Sequence, residues 1–269
     1  MKLHTHKVEK PWGRTTLPAL FGTTEGRRIG EIWFESAGEP DLPLLVKYIF
    51  TSEKLSIQVH PDDAQAQARG LAQGKSECWY ILDAEPGATL GLGFGTALSP
   101  AALRAAALHG SIEDLMEWKA VAPGDFFLVP AGTVHAIGAG IALLEFQQNA
   151  DVTYRLYDYG RPRELHLDDG VAVAKPGPYP EMLVRRAGGA ADAVLVDGPH
   201  FSLVRATSTE SIPDAIADRR RWVMPLEGQV RSAGECAGAG ECLLVEAGAA
   251  LSLSTGAVAL IGAAGPLRR

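Results

Sequence analysis

Short apolar runs cut apart by glycine and proline are the feature that most narrows what this chain can fold into. Its 30 glycines and 17 prolines separate the runs GEIWFES (30–36), LLVKYIF (44–50), LSIQVH (55–60), ECWYIL (77–82), DFFLVP (125–130) and IALLEF (141–146). Runs of this length between turn formers read as strands, and their recurrence predicts a mainly β fold, a sandwich or barrel. Two stretches interrupt the rhythm and predict helical insertions. Residues 61–75 are rich in Ala and Gln, and residues 99–119 open on Ser99-Pro100, an N-cap followed by a first-turn proline. Within the second, Ser111-Ile-Glu-Asp114 has the form of a capping box with Asp in place of Glu and predicts another short helix.

A repeat runs through the β pattern. The segment Gly124-DFFLVPAGTVHAIGAGIALLEF aligns without gaps to Gly240-ECLLVEAGAALSLSTGAVALIGA at an offset of 116, with glycines coincident at 124/240, 132/248 and 140/256. One supersecondary unit used twice gives this pattern; two Gly/Ala-rich apolar segments alike by composition are the alternative. His135 falls opposite Leu251 and Glu145 opposite Ile261, so the second copy keeps the scaffold and lacks the polar groups. Between the copies lies the Pro/Gly cluster Lys175-Pro-Gly-Pro-Tyr-Pro180, which predicts a boundary between a domain of residues 1–180 and one of residues 181–269. With 46% hydrophobic residues in 269, the chain can fill the core of one large domain or of two modest ones.

Charge and cysteine usage exclude several classes. The 25 Lys+Arg against 32 Asp+Glu give a net charge of −7, the opposite of a phosphate-backbone binder's footprint, so no nucleic-acid partner is expected. The opening MKLHTHKVEKPWGR carries four basic residues and no apolar signal core, and no apolar stretch is long enough to span a bilayer; a soluble cytoplasmic protein without a membrane partner is expected. Three cysteines, Cys78, Cys236 and Cys242, indicate neither a disulfide framework nor a zinc finger. Arg219-Arg220-Arg221 reads as a solvated charged face.

The chemistry-bearing residues begin at Ser56-Ile57-Gln58-Val59-His60, where a period of two puts Ser56, Gln58 and His60 on one strand face. Alone, that alternation is the pattern of any half-exposed strand. Further on, Gly124-x5-Pro130-x-Gly132-x2-His135 has the spacing of the second cupin motif, and Gln58-x-His60 followed by Glu77 fills the places of the first. Gln58, His60, Glu77 and His135 together make a nitrogen and oxygen set suited to a borderline divalent ion such as Zn²⁺.

LSIQVHPDD, GKSECWYIL, VPAGTVHAI and EFQQNADVTYRLYDYGR, with the opening EKPWG and the PLLVKYIF strand, resemble the type I mannose-6-phosphate isomerases in their short bacterial form. The likeness covers residues 9 to about 176; beyond them only GECLLVEAGA shares it, through the repeat. The resemblance implies two cupin-like double-stranded β-helix (jelly-roll) domains, the first with short helical insertions and the metal site. It also implies interconversion of mannose 6-phosphate and fructose 6-phosphate, and one zinc or other divalent ion per chain on Gln58, His60, Glu77 and His135. By the same match the substrate site falls on Ser56, Lys47 and Asp151, and the catalytic groups on Arg155, Lys75 and Glu145. One departure stands out: Ile137 occupies a position where some members carry an aromatic residue. Larger relatives also hold a helical domain that residues 99–119 here reduce to a short insertion.

These residues suit an aldose–ketose isomerase. The reaction needs a base to carry a carbon-bound proton, cations for the enediolate, and a sugar phosphate as partner. Glu145 in an apolar run is a candidate base with raised pKa, or else a partnered structural carboxylate. Alternation in VTYRLY groups Thr153, Arg155 and Tyr157 on one face, and Asp151 reads as an orienter of Arg155 or Lys75. The competing readings are a 2-His-1-carboxylate iron oxygenase, in which Gln58 would fill a position needed open, a non-catalytic sugar-phosphate-binding cupin, and a cupin isomerase for a related sugar. A monomer or homodimer is expected.

Overall fold

The computed structural model describes residues 1–186 and 192–267. The chain runs β1 (His4–Arg14), β2 (Ile29–Glu35), β3 (Leu44–Phe50), β4 (Ile57–Val59), α1 (Asp63–Gln67), β5 (Glu77–Ala84), β6 (Thr89–Phe94), α2 (Pro100–His109), α3 (Ile112–Leu115) and β7 (Met116–Ala120). It continues through β8 (Phe126–Val129), β9 (His135–Ile137), β10 (Ile141–Gln148), β11 (Tyr154–Tyr157), α4 (Leu167–Val173) and β12 (Val184–Arg185). After these come β13 (Ala193–Asp197), β14 (Phe201–Ala206), α5 (Asp214–Ala217), β15 (Arg221–Glu227), β16 (Gln229–Ser232), β17 (Glu235–Gly238), β18 (Leu243–Val245), β19 (Ser252–Leu253) and β20 (Val258–Ala264). Mainly β structure is what the punctuated runs require.

The strands form sheets in the orders β1-β2-β3-β10-β5-β8-β12, β11-β4-β9-β6-β7, β13-β14-β20-β15-β18 and β17-β16-β19. The first two sheets face each other, since Ile49, Trp79, Phe127 and Leu143 of one share a core with Leu90, Leu92 and Ile137 of the other. On its other face the seven-stranded sheet packs Val46, Tyr48, Phe50, Leu144 and Phe146 against Leu203, Trp222, Met224 and Leu260 of the third sheet. Gly262 makes that contact close: a Cβ there would lie 2.3 Å from Phe146 Cε1. Helices α2, α3 and α4 cover the outside of the second sheet. Every residue of β3 and of β10 is therefore buried. With side chains alternating, Lys47, Glu145, Gln147 and Glu77 fall on the face opposite Val46, Phe146 and Cys78, toward the second sheet.

The repeat has the same backbone twice. β8, β9 and β10 recur as β18, β19 and β20, and all six matched glycines have φ between 70° and 89°, a region that favours glycine. The chain start also joins the second half, where Leu3 N donates to Cys242 O at 2.9 Å and Leu244 N to Met1 O at 2.8 Å. Beyond Pro180, β12 pairs with β8 of the first sheet.

Several local expectations are corrected. Only residues 63–67 of the 61–75 stretch are helical: Asp62 and Gln65 form a full capping box, and Gly70 at φ 77° turns the chain away. Ser99 caps α2 by accepting from Ala102 N. Ser111 caps nothing with its side chain, because its backbone is αR where a capping residue needs an extended one. The helical reading also overran at its end, since Met116–Ala120 is a strand paired with β6. A bulge at Leu156 breaks the alternation in β11, so Tyr157 leaves the face of Arg155 and its ring packs beside Gly110. The arginine run is not a solvated face: Arg221 is buried with its guanidinium on Ala249 O, and Arg220 pairs with Glu39 and Glu246. Among the described residues no helix is long and apolar enough to cross a membrane.

Candidate functional site

Three segments converge between the first two sheets. His60 follows directly on β4, β5 begins at Glu77, and β9 begins at His135, whose partner across the ladder is Gln58. The turn before β9 ties them together: Gly132 N donates to His60 O at 2.8 Å, and Ala131 N to Ser76 Oγ at 3.2 Å. Gly132 has φ 89° and no room for a Cβ, which would press on the Lys175 side chain at 2.9 Å. The glycine of the VPAGTVH motif is thus demanded by geometry.

His60, Glu77 and His135 are 98–99% buried, and their ligand atoms all lie within 4.8 Å of one another. His60 Nδ1 donates to Val152 O at 2.8 Å and His135 Nδ1 to Thr133 O at 2.9 Å. Both rings therefore turn an Nε2 lone pair toward Glu77, at 3.5 Å and 3.3 Å. Among the described residues His60 Nε2 and Glu77 Oε1 have no hydrogen-bond partner, and Glu77 Oε2 meets the Lys75 ammonium at 3.1 Å. Two lone pairs and a carboxylate aimed at one buried spot repel each other unless a cation lies between them, and the donor set fits a divalent metal for that reason. Gln58 completes it. Its amide lies 3.3 Å from His135 Nε2 and accepts from Ser56 Oγ at 3.0 Å, and an amide turned over offers its oxygen to a cation instead.

Electrostatics agree with that reading. Burial first, then the Lys75 charge, pushes the His60 imidazole down to about 3, and burial lowers His135, so both rings stay neutral ligands. Burial raises Glu77, but the Lys75 ammonium, 3.1 Å away, outweighs it and holds the carboxyl well below its usual range. Burial, then the Glu77 charge, raises Glu145. Lys47 sits 2.8 Å from Glu145 Oε2; burial lowers its pKa, but Glu145 and then Glu31 more than offset this and raise it.

The cluster opens into a cavity of about 330 Å³ whose wall includes Ser56, Gln58, Lys47, Lys75, Glu77, Glu145, Asp151 and Arg155. Every sequence-identified residue except the two buried histidines thus lines one space, and the histidines lie directly behind it. Glu145 also accepts from Trp79 Nε1 at 3.0 Å. Among the described residues the Arg155 guanidinium makes a single bond, of 3.5 Å to Glu164 O, and keeps most of its donors. The expected role of Asp151 is corrected: it is exposed in the loop before β11 and pairs with neither Arg155 nor Lys75, because Lys75 is already held by Glu77. Missed from sequence were Lys10, Trp12, Glu31 and Arg163. Glu31 carried the same signal as Glu145, an acid inside an apolar run.

No family model matches the chain. It is 42% identical over 169 residues to mannose-6-phosphate isomerase ManA of Bacillus subtilis (strain 168), covering 60% of this chain and 49% of the relative. To the mannose-6-phosphate isomerase of Streptococcus mutans it is 40% identical over 173 residues, 61% of this chain and 54% of the relative. The chain thus spans about half the length of these curated relatives. In structure it is similar to the mannose 6-phosphate isomerase crystallised from B. subtilis, with a TM-score of 0.77 at 27% identity over 97% of this chain and 98% of that one. The resemblance carried by the motifs holds, in sequence over about three fifths of the chain and in fold over nearly all of it.

Proposed function

We propose that this chain is an aldose–ketose isomerase of the type I mannose-6-phosphate isomerase family and interconverts mannose 6-phosphate and fructose 6-phosphate through a cis-enediol. The observation that carries the reading is the buried His60–Glu77–His135 cluster opening onto a cavity that also holds Lys75, Glu145 and Arg155. One divalent ion per chain, zinc foremost, would be held by Gln58, His60, Glu77 and His135, and when bound it would polarise the carbonyl and orient the sugar oxygens. A single carboxylate among four donors leaves such a site net positive, which favours an anionic substrate.

The protein's own groups do the rest. Glu145, whose pKa burial raises, takes the proton from C2 of the aldose and returns it to C1. The electron pair left at C2 moves onto the carbonyl oxygen O1 as an enediolate, whose charge Arg155 and Lys75 stabilise; the O2 hydroxyl proton passes to O1, and the C2 carbonyl forms as C1 takes up its proton. Lys47 and Trp79 fix the Glu145 carboxylate between them, and Ser56 and Asp151 bind sugar hydroxyls. Trp79 and Ile137 supply the apolar wall.

In this reading residues 1–180 carry the site and residues 181–269 form a second cupin-like domain that packs on the first and holds no metal. Supporting this, Leu251 and Ile261, opposite His135 and Glu145 in the repeat, are buried apolar residues. The free cysteines suit a reducing cytoplasm, and a monomer or homodimer is proposed. The test is a coupled assay following fructose 6-phosphate from mannose 6-phosphate. Turnover is expected, whereas sugar-phosphate binding without turnover would reduce the protein to a sensor.

A further inference from the structure

The opening EKPWG motif has no part in the chemistry above, yet the fold gives it an unusual backbone. Glu9 and Arg14 both pair with Ile29, so residues 10–13 leave the β1–β2 ladder as an arch. Two glycines allow it. A Cβ on Gly13 would lie 2.5 Å from Gly30 N, and one on Gly30 would lie 2.6 Å from the Lys10 side chain and 2.7 Å from the Trp12 ring. The arch is pinned by Lys10 N donating to Arg28 O at 3.0 Å and Ser52 N to Trp12 O at 2.8 Å. Trp12 is buried with Ile49, Leu55 and Trp79. Lys10 and Trp12 are thereby carried into the cavity wall.

The cavity cations differ in what they have left to offer. Lys47 and Lys75 have side chains only 6% and 5% exposed and each lies against a carboxylate. Arg163 forks onto Asp158 at 2.6 and 2.7 Å. Lys10 is 28% exposed and meets Glu31 only at 3.4 Å, while the other Glu31 oxygen takes Trp33 Nε1 at 2.6 Å. Arg155 is the second cation with donors to spare, and it pairs directly across from Gln58, at the metal end. Lys10 lies on the arch that rises from the outermost strand of the order β1-β2-β3-β10-β5, a strand four places from that of Glu77. Two available cations thus bracket the cavity, one beside the reacting carbons and one at the far edge.

We propose that Lys10 is the specificity-determining anchor for the substrate's phosphate, with Glu31 and the glycine-built arch as its positioning elements. The proposal rests on the reading of the cavity as a hexose-phosphate site. A compact ammonium suits a tetrahedral dianion approached from solvent, and the loose Glu31 contact keeps the side chain extended while leaving its other donors free. With its phosphate at Lys10, a six-carbon sugar phosphate has its C1–C2 end directed toward Arg155 and the metal cluster.

The test uses full-length, metal-loaded protein and the variants Lys10→Met and Lys10→Arg, with metal content measured in each. Calorimetry with a hexitol 6-phosphate gives Kd, and steady-state kinetics on mannose 6-phosphate gives KM and kcat. Lys10→Met is expected to raise Kd and KM together, by about tenfold to a hundredfold, as for one lost charge-assisted hydrogen bond. Its kcat should stay within about threefold and its metal content unchanged, the signature of a uniform binding contact. Lys10→Arg should recover most of the loss. Unchanged Kd and KM, or a fall in kcat alone, overturns the anchor. If the wild-type protein binds the hexitol phosphate through Lys10 but turns over no mannose 6-phosphate, the anchor stands and the isomerase reading falls; if it binds none, the anchor falls too.

Discussion

Replacing Lys47 by Met isolates the charged centre of the cavity wall. Lys47 Nζ lies 2.8 Å from Glu145 Oε2, with the two side chains 6% and 3% exposed. Coulomb's law at an effective dielectric of about 20 gives an attraction of ~6 kcal/mol at that distance. Desolvation offsets much of it, yet removing one partner leaves a buried carboxylate uncompensated, which costs about 3–5 kcal/mol. At roughly 2–4 °C per kcal/mol for a domain of this size, Tm should fall by on the order of 10 °C. The pH dependence has a definite sign. Without Lys47 the already raised Glu145 rises further and Glu31 loses its largest favourable charge. A carboxyl raised in the folded state contributes stability that is present below its unfolded value of about 4.3 and is lost as pH climbs through the folded value. The gap between wild type and Lys47→Met should therefore widen from pH 5 to pH 8. Urea denaturation at both pH values measures it, and Lys47→Met/Glu145→Leu should recover at least half the loss. A gap below about 1 kcal/mol that does not vary with pH, or a double variant no better than the single, would refute the buried pair.

Three further outcomes are expected. His135→Ala should lower bound metal and abolish turnover, because three remaining donors hold the ion poorly; stoichiometric metal by elemental analysis would remove His135 from the ligand set. Arg155→Ala should reduce kcat by on the order of 10² with metal content intact, as for a lost transition-state charge partner; a change in KM alone would make it a plain binding residue. Gly262→Ala should destabilise by about 1–3 kcal/mol, since the new methyl collides with Phe146 across the two sheets. Unchanged thermal stability there, or full activity after truncation beyond Pro180, would show that the second half does not brace the first.

What the sequence made legible follows its ranges of interaction. Strands spaced by turn formers announce themselves locally, and the repeat announced its own glycine turns because only glycine takes φ near 80° at such positions. His60, Glu77 and His135 were legible through motif spacing. Lys10 and Glu31 were not, because they reach the cavity only through the sheet order β1-β2-β3-β10-β5, a product of long-range pairing. Local signals also missed the Leu156 bulge and the Met116–Ala120 strand, where tertiary pairing overrides the nearby helix. Arg221 shows the same limit: a charge run reads as solvated until the third sheet buries its last member.

The most direct test of a metal-dependent isomerase built on this cluster is a titration of metal-stripped protein with zinc, following turnover of mannose 6-phosphate at each addition. Activity should be absent at the start, rise linearly and level off at one ion per chain, while His135→Ala shows no such rise. Full turnover by the stripped protein, or a rise in wild type that His135→Ala reproduces, would contradict a metal centre on Gln58, His60, Glu77 and His135.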